Sequence, residues 1–260
     1  MHAPLIAAFG HHKCASMWVH AIMERLARDL GKRVSGAFLP DSFGGDLRAF
    51  VEKEGTEFLA YGNADFEQVR RLDLDRVRGF HYVRDPRDIV VSGYFSHRNT
   101  HSTDAWKELI PYREKLRSVS QVEGLHLELE HEASQFDEMR GWKDCPADAA
   151  IKHYRIEELT ASPYQKMLDL IIELDLVDQS YYTPGKRFRF LASKVVTNLR
   201  QRGLPLPGAV SKLPVERVLG LLHECDFRQQ AKGRKPGQED RGSHFRKGVH
   251  GDWVNHFTLE

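Results

Sequence analysis

The stretch "GFHYVRDPRDIVVSGYFSH" at residues 79–97 joins an apolar run to an amphipathic one through two arginines and a proline. Phe80, Tyr82 and Val83 read as the end of a strand. Pro86 suits a first helical position, where its missing N–H costs nothing. Asp88 places a negative charge in the positive first turn, and Ile89, Val90, Tyr94 and Phe95 continue as a helix face. Arg84 then stands at the carboxyl end of the strand, with Ser92 two helical turns beyond it. Ligands of open α/β sheets bind outside the carboxyl ends of the strands. An arginine and a hydroxyl in that place point to an anion, most simply a phosphate.

Working outward, strand-like and helix-like runs alternate. Strands are expected at 4–9, 33–39, 56–61 and 78–83, with helices at 16–30, 45–54, 65–71 and 86–97. The alternation predicts an α/β fold with a central parallel sheet flanked by helices. Residues 98–148 break the pattern as a charge-rich helical insertion, with Leu125, Leu129, Phe136 and Met139 on one apolar stripe. A strand returns in "AIKHYRIEEL" (150–159), followed by a helix from Ser162 to Leu174. Residues 178–210, basic and aromatic with Gly and Pro, read as a loop or lid. A last helix spans 214–224, before a glycine- and charge-rich tail. With no internal repeat, one domain over 1–260 is expected.

Net charge is only +1 over 260 residues, which excludes blanket attraction to nucleic acid. The first apolar run is too short for a membrane anchor or a signal segment, so no integral membrane segment is expected. Cys14, Cys145 and Cys225 are odd in number and widely spaced, unlike a disulfide framework. A cytoplasmic location is the expectation.

The first strand ends in "AAFGHHKCASMW" (7–18), a strand–turn–helix with Lys13 in the turn and Ser16 at an N-cap position. Amides at such a helix start form an anion site. The loop is P-loop-like, but it lacks the G-x-x-x-x-G-K-[ST] pattern of nucleotide-triphosphate loops, and no G-x-G-x-x-G is present. No H-E-x-x-H or paired C-x-x-C occurs either. His11, His12, Cys14 and His20 cluster in sequence, yet no metal is expected. From Asp226 to Lys247 there are seven Lys/Arg against three Asp/Glu. Beside two strand-end anion sites, that excess reads as a loop folding over a polyanion.

Three segments together resemble the sulfotransferases that use 3′-phosphoadenosine 5′-phosphosulfate (PAPS). Residues 12–18 resemble that family's first loop, P-K-S-G-T-T-W. "RDPRDIVVSGYFSH" (84–97) resembles its 3′-phosphate segment, and "FRKGVHGDWVNHFT" (245–258) its late motif. The matches run in the family's order over nearly the whole chain. The resemblance implies a phosphosulfate-binding loop formed by Lys13, Cys14, Ala15, Ser16 and Met17, with Trp18 flanking the adenine. It places the 3′-phosphate between Arg84, Ser92, Arg246, Lys247 and Gly248, and puts Phe227 among the cofactor contacts. The C-terminal loop would cover the cofactor, and PAP would be the product.

The implied reaction is metal-independent sulfuryl transfer to a hydroxyl, less readily an amine, of a small-molecule, lipid or carbohydrate acceptor. Lys13 would face the bridging oxygen as charge develops on the leaving phosphate. Soluble relatives carry a histidine near the end of the third strand; here "EFLAYGNADF" has none. Asp41, after the second strand, is the first candidate for general base, although Pro-Asp-Ser is also ordinary turn chemistry. His20 is second and His101 third. Ile156 stands where many relatives place an aromatic adenine contact, and Val254 where many begin a dimer motif. The segments 98–148 and 178–210, the latter with Tyr181, Tyr182, Phe188 and Phe190 among basic residues, are expected to shape the acceptor site. Two other readings remain: a P-loop kinase-like phosphotransferase, and a non-catalytic PAPS/PAP-binding protein.

Overall fold

A computed structural model describes residues 4–104, 106–180, 184–201 and 210–257. The chain begins with β1 (Leu5–Phe9), α1 (Ser16–Leu30), β2 (Val34–Ala37), α2 (Leu47–Glu54), β3 (Phe58–Tyr61), α3 (Phe66–Val69), β4 (Val77–Val83) and α4 (Pro86–Phe95). The insertion contributes α5 (Leu109–Ser118), α6 (Gln121–His131) and α7 (Ala133–Gly141), and β5 (Ile151–Arg155) completes the main sheet. Its order is β2-β3-β1-β4-β5, and every pair is parallel. A second sheet pairs β6 (Val177–Asp178) with β7 (Leu213–Pro214). The remaining helices are α8 (Ile156–Ala161), α9 (Pro163–Glu173), α10 (Pro184–Gln201), α11 (Val215–Glu224) and α12 (Phe227–Gln230).

Alternating residues of the central strands enter two different cores, as expected of a parallel sheet covered on both faces. Ile6, Ala8, Phe58, Ala60, Phe80 and Tyr82 pack with Val19, Met23 and Leu26 of α1 and with residues of α9 and α11. Ala7, Phe9, Leu59, Tyr61 and Val77 face the other way, against Leu47, Phe66 and Trp142. Phe9 lies opposite Tyr61 on one side and His81 on the other. The chain segments leaving β1 and β4 therefore emerge side by side, and this register brings the Lys13 loop to Arg84. Gly10 allows the approach, because a Cβ there would lie 2.1 Å from the Tyr82 ring.

Three local expectations are corrected. Residues 178–210 are not a loop throughout, since α10 occupies 184–201. Pro184 and Gly185 open the helix, where a proline is tolerated, rather than interrupting it. Tyr181, Tyr182 and residues 202–209 lie outside the described residues, as do the side chains of Phe190 and its basic neighbours Arg187 and Lys194. Ser16 is the first residue of α1 rather than its cap: Ala15 occupies that place in a left-handed conformation with no side-chain bond. The insertion's apolar stripe also divides. Leu125 is buried beside Tyr94, whereas Leu129, one turn further along α6, is 48% exposed.

Candidate active site

The loop after β1 is shaped by two non-glycine residues in the left-handed region, Lys13 at φ 60° and Ala15 at φ 59°. Such backbone costs on the order of 1 kcal/mol per residue and persists where the surroundings enforce it. The N–H groups of Ala15, Ser16 and Met17 have no hydrogen-bond partner among the described residues. They stand at the N-terminus of the fifteen-residue α1, a site suited to an anion. Cys14 does not join them. Its N–H donates to His11 O at 3.1 Å, and its side chain is wholly buried in the core under α1. Burial pushes the thiol up to about 12.

Lys13 Nζ donates to Ser96 Oγ at 2.6 Å. Burial lowers its pKa to about 8 against the opposing pull of Glu132 and Glu128. Arg84 Nη1 donates to Lys13 O at 3.0 Å, and Nη2 to Val249 O at 3.4 Å. One guanidinium thereby ties the first loop to the C-terminal segment.

That segment is held on the start of α4. Asp88 accepts from Gly251 N at 2.6 Å and Trp253 N at 3.1 Å, while the Arg87 guanidinium lies 3.5 Å from the centre of the Trp253 ring. Arg246 Nη2 donates to Asp252 Oδ2 at 2.6 Å, and Lys247 Nζ donates to Oδ1 of the same carboxylate. Burial opposes ionisation of Asp252, but the bonds from Lys247 and Arg246 prevail and hold it well below the usual carboxylate range. Gly248 has φ 66°, and a Cβ there would lie 2.4 Å from the Phe227 ring.

These segments surround a cleft of ≈ 1170 Å³. Lys13, Ala15, Ser16, Met17, Trp18, Arg84, Ser92, Phe227, Arg246, Lys247 and Gly248 all line it. Of the expected cofactor contacts, only Cys14 is absent from the lining. Ile156 also contributes, and Trp18 leans partly on the core. Asp41 lines the cleft from a short 3₁₀ turn, Pro40–Phe43. His20 does not line it. That ring packs against Phe38 with centroids 4.8 Å apart, its Nε2 is buried without a partner, and burial lowers its pKa to about 4. His101 does reach the cleft, and burial lowers its pKa to about 3.

Sequence reasoning missed the group that surrounds Lys13 on the insertion side. His12 Nδ1 lies 3.2 Å from Glu132 Oε1. His97 Nδ1 lies 2.7 Å from Glu128 Oε1, with both residues fully buried. Burial, followed by the neighbouring Glu132, raises the Glu128 carboxyl to about 9. The available signal was the spacing His97-x-x-x-His101, which places both side chains on one side of a helical turn.

No protein-family model and no curated protein matches the sequence. Solved structures do. Mouse sulfotransferase SULT7A1, crystallised with PAP, aligns with a TM-score of 0.57 over 100% of this chain and 80% of that one, at 17% identity. The fold is a sulfotransferase fold. Two more distant alignments are retinol dehydratase in complex with androsterone and inactive cofactor PAP, and a sulfotransferase from Alicyclobacillus acidocaldarius. Retinol dehydratase gives a TM-score of 0.44 at 14% identity, over 98% of this chain and 75% of that one. The bacterial enzyme gives 0.38 at 14%, over 79% and 98%. The fold assignment rests on the mouse enzyme alone. Among the described residues, no helix is long and apolar enough to cross a membrane.

Proposed function

We propose that the protein is a PAPS-dependent sulfotransferase acting on a hydroxyl of a small-molecule, lipid or carbohydrate acceptor. The observation carrying this reading is the convergence on one cleft of three segments far apart in sequence: the Lys13 loop, Arg84 with Ser92, and Arg246–Gly248. The unpartnered amides of Ala15, Ser16 and Met17 suit the 5′-phosphosulfate. Arg84, Ser92, Arg246 and Lys247 suit the 3′-phosphate, and Trp18 and Phe227 offer faces to the adenine. When bound, PAPS supplies the sulfuryl group and a phosphate leaving group.

The protein's part is then to position and to stabilise charge, as in phosphoryl transfer. Lys13, held against Ser96 Oγ, offers its ammonium to the oxygen on which negative charge develops. Asp41 is the proposed general base, since it lines the cleft and His20 does not. The mixed lining, with Phe38, Leu39 and Trp106 beside Asn63 and Asp65, accommodates an acceptor with both an apolar body and hydroxyls. We assign the whole chain to one domain. Its three cysteines are free thiols, which supports a reducing compartment and a cytoplasmic location.

The test is a thermal melt with PAP, ADP, ATP or buffer, followed by single-turnover transfer from PAPS to a panel of phenols, alcohols and sugars. At about 100 times its Kd a ligand adds ~2.7 kcal/mol, a shift of several degrees for a chain of this size. A shift specific to PAP, together with transfer, is the expected result. A shift with ATP alone overturns the reading in favour of a kinase-like enzyme. A PAP shift without transfer to any acceptor favours a binding protein.

A further inference from the structure

Beside Lys13, three imidazoles from two separate segments face one another. His12 follows β1, whereas His97 and His101 lie four residues apart around the wide helical turn Ser96–Thr100 that continues α4. Turns of this kind are frequent at functional sites. The three rings bring one nitrogen each to within 4.8 Å of one another. Their centroids form a nearly regular triangle, with separations of 5.1 Å for His12–His97, 5.4 Å for His12–His101 and 5.4 Å for His97–His101.

Separations of this size are compatible with a tetrahedral zinc ion. With Zn–N at about 2.0–2.1 Å, ring centres lie roughly 3.2 Å from the metal and therefore roughly 5.2 Å apart. Two further observations agree. His12 Nδ1 is hydrogen-bonded to a buried carboxylate, Glu132 Oε1 at 3.2 Å. This is the outer-shell arrangement that orients metal-binding histidines. His97 is wholly buried with Nδ1 2.7 Å from Glu128 Oε1, yet neither of its ring nitrogens has a hydrogen-bond partner among the described residues. Arg113 fixes the turn itself by donating to His97 O at 2.7 Å and to His101 O.

We propose that His12, His97 and His101 bind one divalent transition-metal ion, zinc by preference, with a fourth position open to the cleft. Imidazole donors suit zinc, and three histidines with an open position are a catalytic rather than a structural arrangement. His12 and His101 line the cleft, so the open position faces it. Glu128 and Glu132 supply buried acidic groups around the ion. If the sulfuryl-transfer reading holds, an acceptor hydroxyl on the metal would release its proton to solvent more readily. That would take over work otherwise assigned to Asp41. Metal binding itself does not depend on that reading.

The test is titration of untagged, chelator-treated full-length protein with Co²⁺, without nucleotide, followed by displacement with Zn²⁺. We expect one equivalent of cobalt, the intense visible bands of a four- or five-coordinate ion, and their loss on adding zinc. His101→Ala should weaken cobalt binding by more than about tenfold. His153→Ala, outside the cluster, should leave it unchanged. Circular dichroism melts check that both variants fold; the Arg113 bond to residue 101 is to its backbone and survives the substitution. Absence of the bands, or equal titrations for the wild type and His101→Ala, overturns the proposal. PAP binding, measured separately, reports on the sulfotransferase reading alone.

Discussion

The Arg84 guanidinium donates to the backbone carbonyl of Lys13 at 3.0 Å, joining the ends of two neighbouring central strands across 71 residues of sequence. Its other arm reaches Val249 O, so one side chain organises both sides of the proposed nucleotide site. Arg84→Ala should weaken PAP binding by about 1.5–3 kcal/mol, the worth of a charged hydrogen bond. Calorimetric titration of the purified variant measures this directly. Unchanged affinity would remove Arg84 from the 3′-phosphate site.

The lowered pKa of Lys13, about 8, makes nucleotide binding pH-dependent. Below that value the lysine is charged and attracts the phosphosulfate. Above it the free protein must first take up a proton, so PAP affinity should fall as pH rises through 8. Lys13→Met should bind more weakly at pH 7 and flatten the profile between pH 7 and 9. A wild-type profile that stays flat across that window would contradict the assignment.

The sheet was legible, and the residues proposed for the cofactor could be named, because each is coded locally. Pro86 and Asp88 announce the start of α4, and the run ending at Val83 fixes Arg84 at a strand end. The helix α10 was misread because Pro184 and Gly185 resemble loop punctuation when the helical spacing of Phe188, Leu191 and Val195 is not weighed against them. Those three side chains are exposed, so the face they form is not a core signal. The cluster around Lys13 was hidden for another reason. His12, Glu128 and Glu132 meet only because α6 and α7 fold back over the first loop, a tertiary event that no local spacing encodes. Cys14 was placed in the binding loop by resemblance, but burial under α1 takes its side chain away from the cleft.

Asp252 should anchor the C-terminal segment in a pH-dependent way. Its carboxyl is held below its ordinary value by Lys247 and Arg246 despite burial, so its stabilisation is full above an unfolded pKa of about 3.9. It is lost as pH falls toward the depressed folded value. Asp252→Asn should cost about 1.5–3 kcal/mol at pH 7 and reduce the loss of melting temperature between pH 5 and 3. Parallel curves for wild type and variant would show that the anchor contributes nothing.

As the proposed base, Asp41 should matter to turnover and not to cofactor binding. Asp41→Asn should lower kcat by about 10²–10⁴, the usual range for a lost general base, with PAP affinity unchanged. If a metal at His12, His97 and His101 activates the acceptor instead, kcat will fall little in Asp41→Asn and steeply in His101→Ala. The pair of variants therefore separates the two sources of activation.

Gly248 tests whether the C-terminal segment must close on Phe227. At φ 66° a side chain is strained, and its Cβ would lie 2.4 Å from the Phe227 ring. Gly248→Ala must therefore move either the segment carrying Arg246 and Lys247 or the ring proposed to face the adenine. Both moves damage the same site, so PAP affinity should drop at least tenfold, about 1.4 kcal/mol. The fold should survive, because residue 248 belongs to neither sheet and the nearest atoms an added Cβ would meet are those of the Phe227 ring. Calorimetry gives the affinity and a melt without nucleotide gives the stability. A loss confined to the melt would mean that the segment supports the fold rather than the nucleotide.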